Sequence, residues 1–249
     1  MLISVSQYDP ANQHKVVIEF TYDQDQQLAQ IRAQRHDTTG SELFMDTSRM
    51  IFTGGGPTTP PAAYDMTWTK GTNAQLQTSV EHHLLYYDDQ HRVIEDSMTS
   101  GTTGLNIIKF TYSDGYTICN QYGAFGLLDT LFTTNGNMNR RATYNPSYHN
   151  GIMTTNLNEI EIFGYSAYSN PRFQKDIANS LGALLTVENL GDYLSINLMN
   201  QYQYTFSLNY ISPVTSYSWA TDDAGRVVQG TATVLSTGQV SNYYTFQYE

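Results

Sequence analysis

Aromatic side chains are the residues of this sequence best suited to bind a ligand. The 249 residues include 20 Tyr and two Trp, and several lie in short, strand-like runs. Because neighbouring residues of a strand point to opposite faces, one ring of each run faces the core and the next faces outward. Outward clusters of rings usually mark recognition surfaces. The candidate ligand-binding residues are Trp68, Tyr86, Tyr202, Tyr204, Trp219 and Tyr243.

Carboxylates offer a second chemistry, because Glu159 and Glu161 lie two residues apart on one face of an expected strand. Such a pair could serve glycoside hydrolysis. A solvated strand face explains the same spacing, and nothing in the sequence indicates raised pKa values. The sequence contains no Gly-x-Ser-x-Gly elbow and no complete phosphate-binding loop. We therefore predict no catalytic residue, no cofactor, and a protein that is not an enzyme.

Metal ligands and a reactive thiol are the remaining possibilities. His82 and His83 are adjacent, with His91 one hairpin away. Adjacent strand residues point to opposite faces, so His82 and His83 cannot chelate together from one regular strand. We expect solvated or turn histidines and no metal site. The single cysteine, Cys119, lies in a strand-like run and is expected to be buried and inert.

The composition excludes several classes of protein. Twelve basic against 23 acidic residues give a net charge of −11, which leaves no basic footprint for nucleic acid. No stretch reaches the ~18 apolar residues of a membrane helix. Residues 1–5 lack the features of a signal peptide. The low share of charged residues, 14%, favours a β protein whose export signal has already been removed.

Hairpins with an Asp at the turn organise the chain. Asp23, Asp88 and Asp222 each follow a strand-like run and precede three turn residues, then Gln or Arg, then an aliphatic residue. Asp suits the first position of a type I turn, because its carboxylate accepts nearby backbone N–H groups. Gly225 occupies the left-handed position of such a loop. The pair Asp114-Gly115 predicts a two-residue hairpin.

These patterns predict an all-β fold, mainly antiparallel: a meander of hairpins curled into a barrel or half-barrel-like sheet. Residues 1–249 form a single β domain, with a soft boundary at the Gly/Pro stretch 53–63. One short helix is expected around 171–181. Asn170 can cap it, Pro171 suits its first turn, and Gly182 can end it.

The Tyr-Asp-x-x-Gly-Arg-Val frame resembles the YD repeats of wall-associated and toxin-encapsulating proteins. The whole layout resembles a family of Bacteroidetes secreted proteins and lipoproteins of unknown function with a porin-like fold. The stretches that carry the resemblance are 20–23 with Leu28 and Ile31, 86–88 with 92–93, 156–158, 222–227 and 244–249. The resemblance implies an antiparallel meander outside the cytoplasm, and it implies no activity and no catalytic residues.

A porin-like shape does not by itself make a pore. Membrane barrels need long strands with an apolar outer band and aromatic girdles. The expected strands are short, and polar Thr, Gln and Asn are spread through them. We therefore predict a protein that is secreted, or associated with the outer membrane or cell surface, but not membrane-spanning.

Three functions follow from these expectations. The first is a non-enzymatic binding or surface-associated module for a glycan or a small apolar ligand. The second is a purely structural accessory domain of a surface assembly. The third is a hydrolase that uses an unrecognised carboxylate pair.

Overall fold

The computed structural model describes residues 1–11, 13–25, 28–37, 44–55, 60–72, 75–100, 104–122, 128–149, 152–170, 195, 197–206 and 210–249. These residues form seventeen strands and no helix. The strands are β1 Leu2–Asp9, β2 His14–Tyr22, β3 Leu28–Asp37, β4 Phe44–Thr53, β5 Ala63–Thr72, β6 Gln75–Tyr87, β7 Val93–Ser100, β8 Gly104–Ser113, β9 Tyr116–Tyr122, β10 Leu128–Thr134, β11 Asn137–His149, β12 Ile152–Ser169, β13 Asn197–Phe206, β14 Tyr210–Ile211, β15 Thr215–Thr221, β16 Val227–Val234 and β17 Gln239–Tyr248.

The chain divides into two compact units. The first unit comprises residues 1–84, 99–104 and 217–249, and the second comprises residues 85–98 and 105–216. In the first unit, antiparallel pairs join β16 to β17, β17 to β1, and then each strand to the next from β1 to β6. The Gly/Pro stretch 53–63 connects β4 and β5 within this unit. The prediction of one domain for the whole chain stays a prediction.

In the second unit, antiparallel pairs run from β8 through β9, β10, β11 and β12 to β13. Strand β13 then pairs with β15 at one end and with the two-residue strand β14 at the other. Strand β12 is 18 residues long, with irregular register against both neighbours. Such irregularities reorient a strand and increase its twist.

Many of the strands bury alternate side chains, as the period of two requires. On β17, Tyr244 and Phe246 are buried, whereas Tyr243, Thr245 and Gln247 are exposed. The same alternation buries apolar residues on strands of both units. They include Phe20, Ile31, Met66, Phe110, Leu131 and Val227.

The turn chemistry predicted from the sequence is confirmed. The main-chain N–H of Arg226 donates to the Asp222 carboxylate at 2.8 Å, and Gly225 has a φ of +77°. His91 takes the corresponding left-handed conformation with a φ of 60°. The Asp114-Gly115 hairpin places Tyr112 opposite Thr117, as expected. These turns form from neighbouring residues, so their geometry can be derived locally.

The predicted fold class is corrected in its half-barrel-like alternative, whereas its all-β, mainly antiparallel character agrees with the described strands. In a half-barrel-like meander, the first and last strands would be free edges. Here β1 pairs with β17 as well as with β2, and Ser4 donates to the side chain of Gln247, 243 positions away. No local pattern in a sequence encodes a pairing at such a distance. The helix expected around 171–181 lies outside the described residues, and the described residues contain no helix.

Candidate functional site

One face of the second unit carries two rows of directly opposed side chains that cross six strands. Directly opposed residues of an antiparallel sheet point to the same face. From β8 to β13, the first row is Tyr112, Thr117, Leu131, Arg141, Glu161 and Tyr204. The second row is Phe110, Cys119, Asp129, Thr143, Glu159 and Phe206. The register therefore brings charged and aromatic residues of distant segments together.

Arg141 holds two carboxylates of this face. Its Nη2 lies 3.0 Å from Asp129 Oδ2, and its Nη1 lies 3.2 Å from Glu161 Oε2. Thr143 Oγ1 donates to the other oxygen of Asp129 at 2.6 Å. The Tyr202 hydroxyl donates to Glu161 Oε1 at 2.9 Å. Charges that are this far removed from water need such partners, so Arg141 fixes the position of both acids.

A line of aromatic rings runs beside these charges. The ring centroids of Phe163 and Tyr202 are 5.5 Å apart, those of Tyr202 and Tyr204 are 6.1 Å apart, and those of Tyr204 and Tyr210 are 5.8 Å apart. These separations are in the range of favourable tilted ring pairs. We call the four residues the tyrosine run. The hydrogen bond from the Tyr202 hydroxyl to Glu161 connects the tyrosine run to the ion pairs of Arg141.

The most exposed rings of this face are those of Phe206 and Tyr210, on β13 and β14. Leu131 is 1% exposed and Asp129 is 5% exposed, whereas Phe206 is 48% and Tyr210 is 50% exposed. The middle of the face is therefore core, and its β13–β14 end, which we call the open end, carries the accessible rings. Accessible rings beside fixed carboxylates provide stacking surfaces and hydrogen-bond acceptors at the same place.

The carboxylate pair does not form the solvated face that the sequence favoured. The side chain of Glu161 is only 17% exposed, and each of its oxygens receives a hydrogen bond. Glu159 lies in the next row, opposite Thr143 and Phe206. The expectation of a solvated strand face is thus wrong for Glu161, because Arg141 and Tyr202 enclose it.

A second aromatic cluster lies in the first unit, around Trp219. This ring stacks on Tyr217 at 6.0 Å and lies 5.6 Å from Tyr244 and 6.0 Å from Phe246. It also covers Gly230 so closely that an added Cβ would lie 2.3 Å from its ring atoms. Trp219 therefore packs as a structural residue on bare backbone.

The other three aromatic candidates are dispersed. Trp68 is half-buried on β5, opposite Ser79 of β6. Tyr86 is exposed on β6, outside the two rows. Tyr243 is exposed on β17, opposite Tyr8 of β1. The structure thus brings Tyr202 and Tyr204 into one site and leaves Trp68, Tyr86, Trp219 and Tyr243 elsewhere.

Sequence inspection missed four members of this face: Asp129, Arg141, Phe163 and Tyr210. Asp129 lies on β10 and Arg141 lies on β11. Only the register of these two strands shows that both side chains point to the same face. The sequence offers one signal, which is that Arg141 lies within a strand-like run. A charged residue in a half-buried strand usually has a partner of opposite charge.

The Asp turns form a repeated structural module with a Tyr on a later strand. In one copy, Arg92 bonds Asp88 through its main chain and side chain, and its guanidinium lies 4.3 Å from the centroid of the Tyr112 ring. The Tyr112 hydroxyl donates to the carbonyl of Val93. The second copy has the same contacts among Asp222, Arg226, Tyr248 and Val227. The module therefore joins three strand segments and serves the fold.

These turn contacts lower the pKa of both carboxyl groups. Burial pushes the pKa of Asp88 upward, but hydrogen bonds from the side chain and main chain of Arg92 outweigh it. At Asp222, the backbone hydrogen bond from Arg226 is the main cause of the lowered pKa, and the Arg226 side chain adds to it. The ionised forms are thus favoured in the folded protein.

His82 and His83 lie on opposite faces, as their adjacency predicts, but the expectation of solvated histidines is wrong for the buried His83. His82 is exposed and its Nδ1 lies 2.6 Å from Asp65 Oδ1, whereas His83 is buried and stacks on Tyr64 at 4.0 Å. Cys119 is buried, as predicted. Within the described ranges, no group of three or more His, Cys, Asp or Glu residues could hold a metal ion. The described residues also contain no helix that is long and apolar enough to cross a membrane.

No protein-family model matches the chain, and no curated protein matches it. Solved structures that are similar to it include two porin-like proteins. A porin-like protein from Bacteroides vulgatus is 10% identical to this chain, with a TM-score of 0.46. The alignment covers 100% of this chain and 98% of the Bacteroides vulgatus protein. A porin-like protein from Bacteroides uniformis is 13% identical, with a TM-score of 0.41. The alignment covers 99% of this chain and 96% of the Bacteroides uniformis protein. These descriptions belong to those two proteins, and for this chain the outer-membrane or cell-surface location is a proposal. The YD-repeat resemblance stays a prediction.

The prediction that the chain is not membrane-spanning is corrected. It depended on short strands, yet β6 and β11 have 13 residues each and β12 has 18. A tilted strand needs about 9–11 residues to cross a bilayer. The premise of short strands is therefore wrong for these three strands.

Proposed function

We propose that this chain is a porin-like β protein of the outer membrane or cell surface, and that it binds a glycan without catalysing a reaction. The observation that carries this proposal is the tyrosine run, whose rings continue from buried Phe163 to half-exposed Tyr210 beside the carboxylates of β12.

The chemistry of a sugar matches this surface. The C–H faces of a sugar ring are apolar and pack on aromatic rings, while its hydroxyl groups need polar partners at their edge. Tyr204 and Tyr210 supply rings with hydroxyl tips, and Glu159 supplies a carboxylate in the row next to Tyr204. Apolar surface with a few placed polar groups is the usual composition of a ligand site.

The site is also organised before any ligand arrives. Arg141 fixes Glu161, and Glu161 holds the hydroxyl of Tyr202. Tyr202 in turn packs between Phe163 and Tyr204. A rigid site loses less conformational entropy on binding, which favours affinity. These contacts support binding at the open end of the rows.

A glycan array and a lipid array with the purified protein test the proposal. We expect glycan binding that Tyr204→Leu and Tyr210→Ala each weaken, because each change removes one stacking surface. Tyr86→Ala is the matched control, since Tyr86 is comparably exposed and lies outside the rows. Thermal melting of each variant separates lost binding from lost folding.

Three results would contradict the proposal. Binding to lipids alone would point to a small apolar ligand. Binding to neither array would favour the purely structural role in a surface assembly. Equal weakening by Tyr86→Ala would show that the tyrosine run is not the site.

The proposed location has its own test. An antibody raised against the chain should detect it in the outer-membrane or surface fraction of cells that produce it. Recovery in the cytosolic fraction would contradict this location and leave the glycan test unaffected.

A further inference from the structure

We infer that the glycan bound by the tyrosine run carries protonated amino groups, as an amino-sugar oligomer does. This inference deepens the proposed glycan-binding function and rests on it. It commits the site to a cationic ligand rather than to a neutral or acidic one.

The charges of the site are out of balance. Three carboxylates, those of Asp129, Glu159 and Glu161, share the face with the guanidinium of Arg141. Arg141 is engaged by Asp129 and Glu161, at 3.0 and 3.2 Å. Burial and the neighbouring charge of Glu161 raise the pKa of Glu159 against the opposing effect of Arg141, so the face is short of positive charge beside this carboxylate. A cation complements this carboxylate, whereas a uronic acid would be repelled.

Glu159 is the carboxylate best placed to meet such a ligand. It lies opposite Phe206, which is 48% exposed, at the open end of the second row. Asp129, in the same row, is buried and bound by Thr143 and Arg141. The excess charge is therefore located where the face is accessible.

The aromatic rings favour the same ligand. A cation over the face of a Tyr or Phe ring is attracted by the negative charge of the π system. Tyr204 and Phe206 occupy the β13 ends of the two rows, so a sugar stacked there brings its substituents to the Glu159 side. An ammonium group at that place would contact both a carboxylate and a ring.

Isothermal titration calorimetry at pH 6 compares four oligosaccharides of equal length: β-linked glucosamine, N-acetylglucosamine, glucose and a uronic acid. We expect roughly tenfold tighter binding of the glucosamine oligomer than of its acetylated form, the size of one favourable cation contact. Acetylation removes the charge while it keeps the sugar ring, so this pair isolates the amino group.

A matched variant excludes general attraction of a cation to an acidic protein. Glu159→Gln removes one negative charge from the site, and Glu19→Gln removes one from an exposed strand position in the first unit. Both variants change the net charge equally. We expect Glu159→Gln to abolish the preference for the glucosamine oligomer and Glu19→Gln to preserve it. Equal loss in both variants would overturn the inference.

The failure of the inference is distinguishable from failure of the proposed function. Equal affinity for the glucosamine and acetylated oligomers, or preference for the uronic acid, would overturn the amino-sugar inference and leave glycan binding intact. Binding of none of the four, together with an empty glycan array, would overturn both.

Discussion

The two aromatic clusters use similar residues in opposite ways. Around Trp219, rings pack on each other and on the backbone at Gly230. In the tyrosine run, rings also pack in series, but the hydroxyl of Tyr202 bonds Glu161 and the last ring, Tyr210, is half-exposed. The comparison shows that aromatic content alone does not identify a site. Fixed polar partners and accessibility separate a candidate site from core.

Burial explains why the two clusters should respond differently to mutation. A ring packed against backbone leaves a cavity when it is truncated and a clash when the backbone gains a side chain. A half-exposed ring can be removed with little effect on stability, although a ligand loses its contact. Of the aromatic residues, Trp219 should therefore matter most for stability, and Tyr204 and Tyr210 should matter most for binding.

The largest effect is expected from Arg141→Met. Removal of the guanidinium leaves Asp129 and Glu161 without their shared cation, which should lower the free energy of unfolding by about 3 kcal/mol. Urea denaturation measures this. The control is Arg140→Met, because the Arg140 side chain is exposed and lies over the ring of Phe132. A similar loss in both variants would show that the site has no special electrostatic requirement.

The next effect is expected at Gly230. A Cβ there would meet the Trp219 ring, so Gly230→Ala should destabilise the fold by about 2 kcal/mol. In a Trp219→Ala background the same change should cost much less, because the ring that it meets is gone. Thermal or urea unfolding of the four proteins completes the cycle. Additive losses would contradict this close approach and weaken the contrast between the clusters.

Tyr210→Ala should produce a small stability change, within about 0.5 kcal/mol, because the ring is half-exposed. The same variant should bind the glycan more weakly. Calorimetry and melting on one preparation test both statements. A large loss of stability with unchanged binding would place Tyr210 with the structural aromatics.

The smallest effect concerns the turns, which serve the fold in both units. Because the pKa of Asp222 is lowered in the folded protein, its stabilising contribution is present above the ordinary value of 3.8 and is lost as the pH falls through the folded value. Melting temperatures of the wild type should decline more between pH 5 and pH 2 than those of Asp222→Asn. Parallel declines would show that this carboxylate does not stabilise the turn.

Local features could be predicted from the sequence because they depend on neighbouring residues. The Asp88 and Asp222 turns, the left-handed Gly225 and the opposite orientation of His82 and His83 all follow from turn chemistry and the two-residue period of a strand. Tyr202 and Tyr204 were recognised for the same reason. Their function as part of a charged face could not be recognised, because Arg141 and Asp129 lie on other strands.

The sequence by itself determined strand character, the hairpin turns and which side chains share a face of each strand, since these properties act over a few residues. The tertiary structure alone decided the pairing of β1 with β17, the placement of Trp219 over Gly230, and the register that aligns Arg141 with Glu161 and Tyr204. The physical reason is that register between distant strands depends on the packing of whole faces, and a shift of one residue would turn every side chain to the other face.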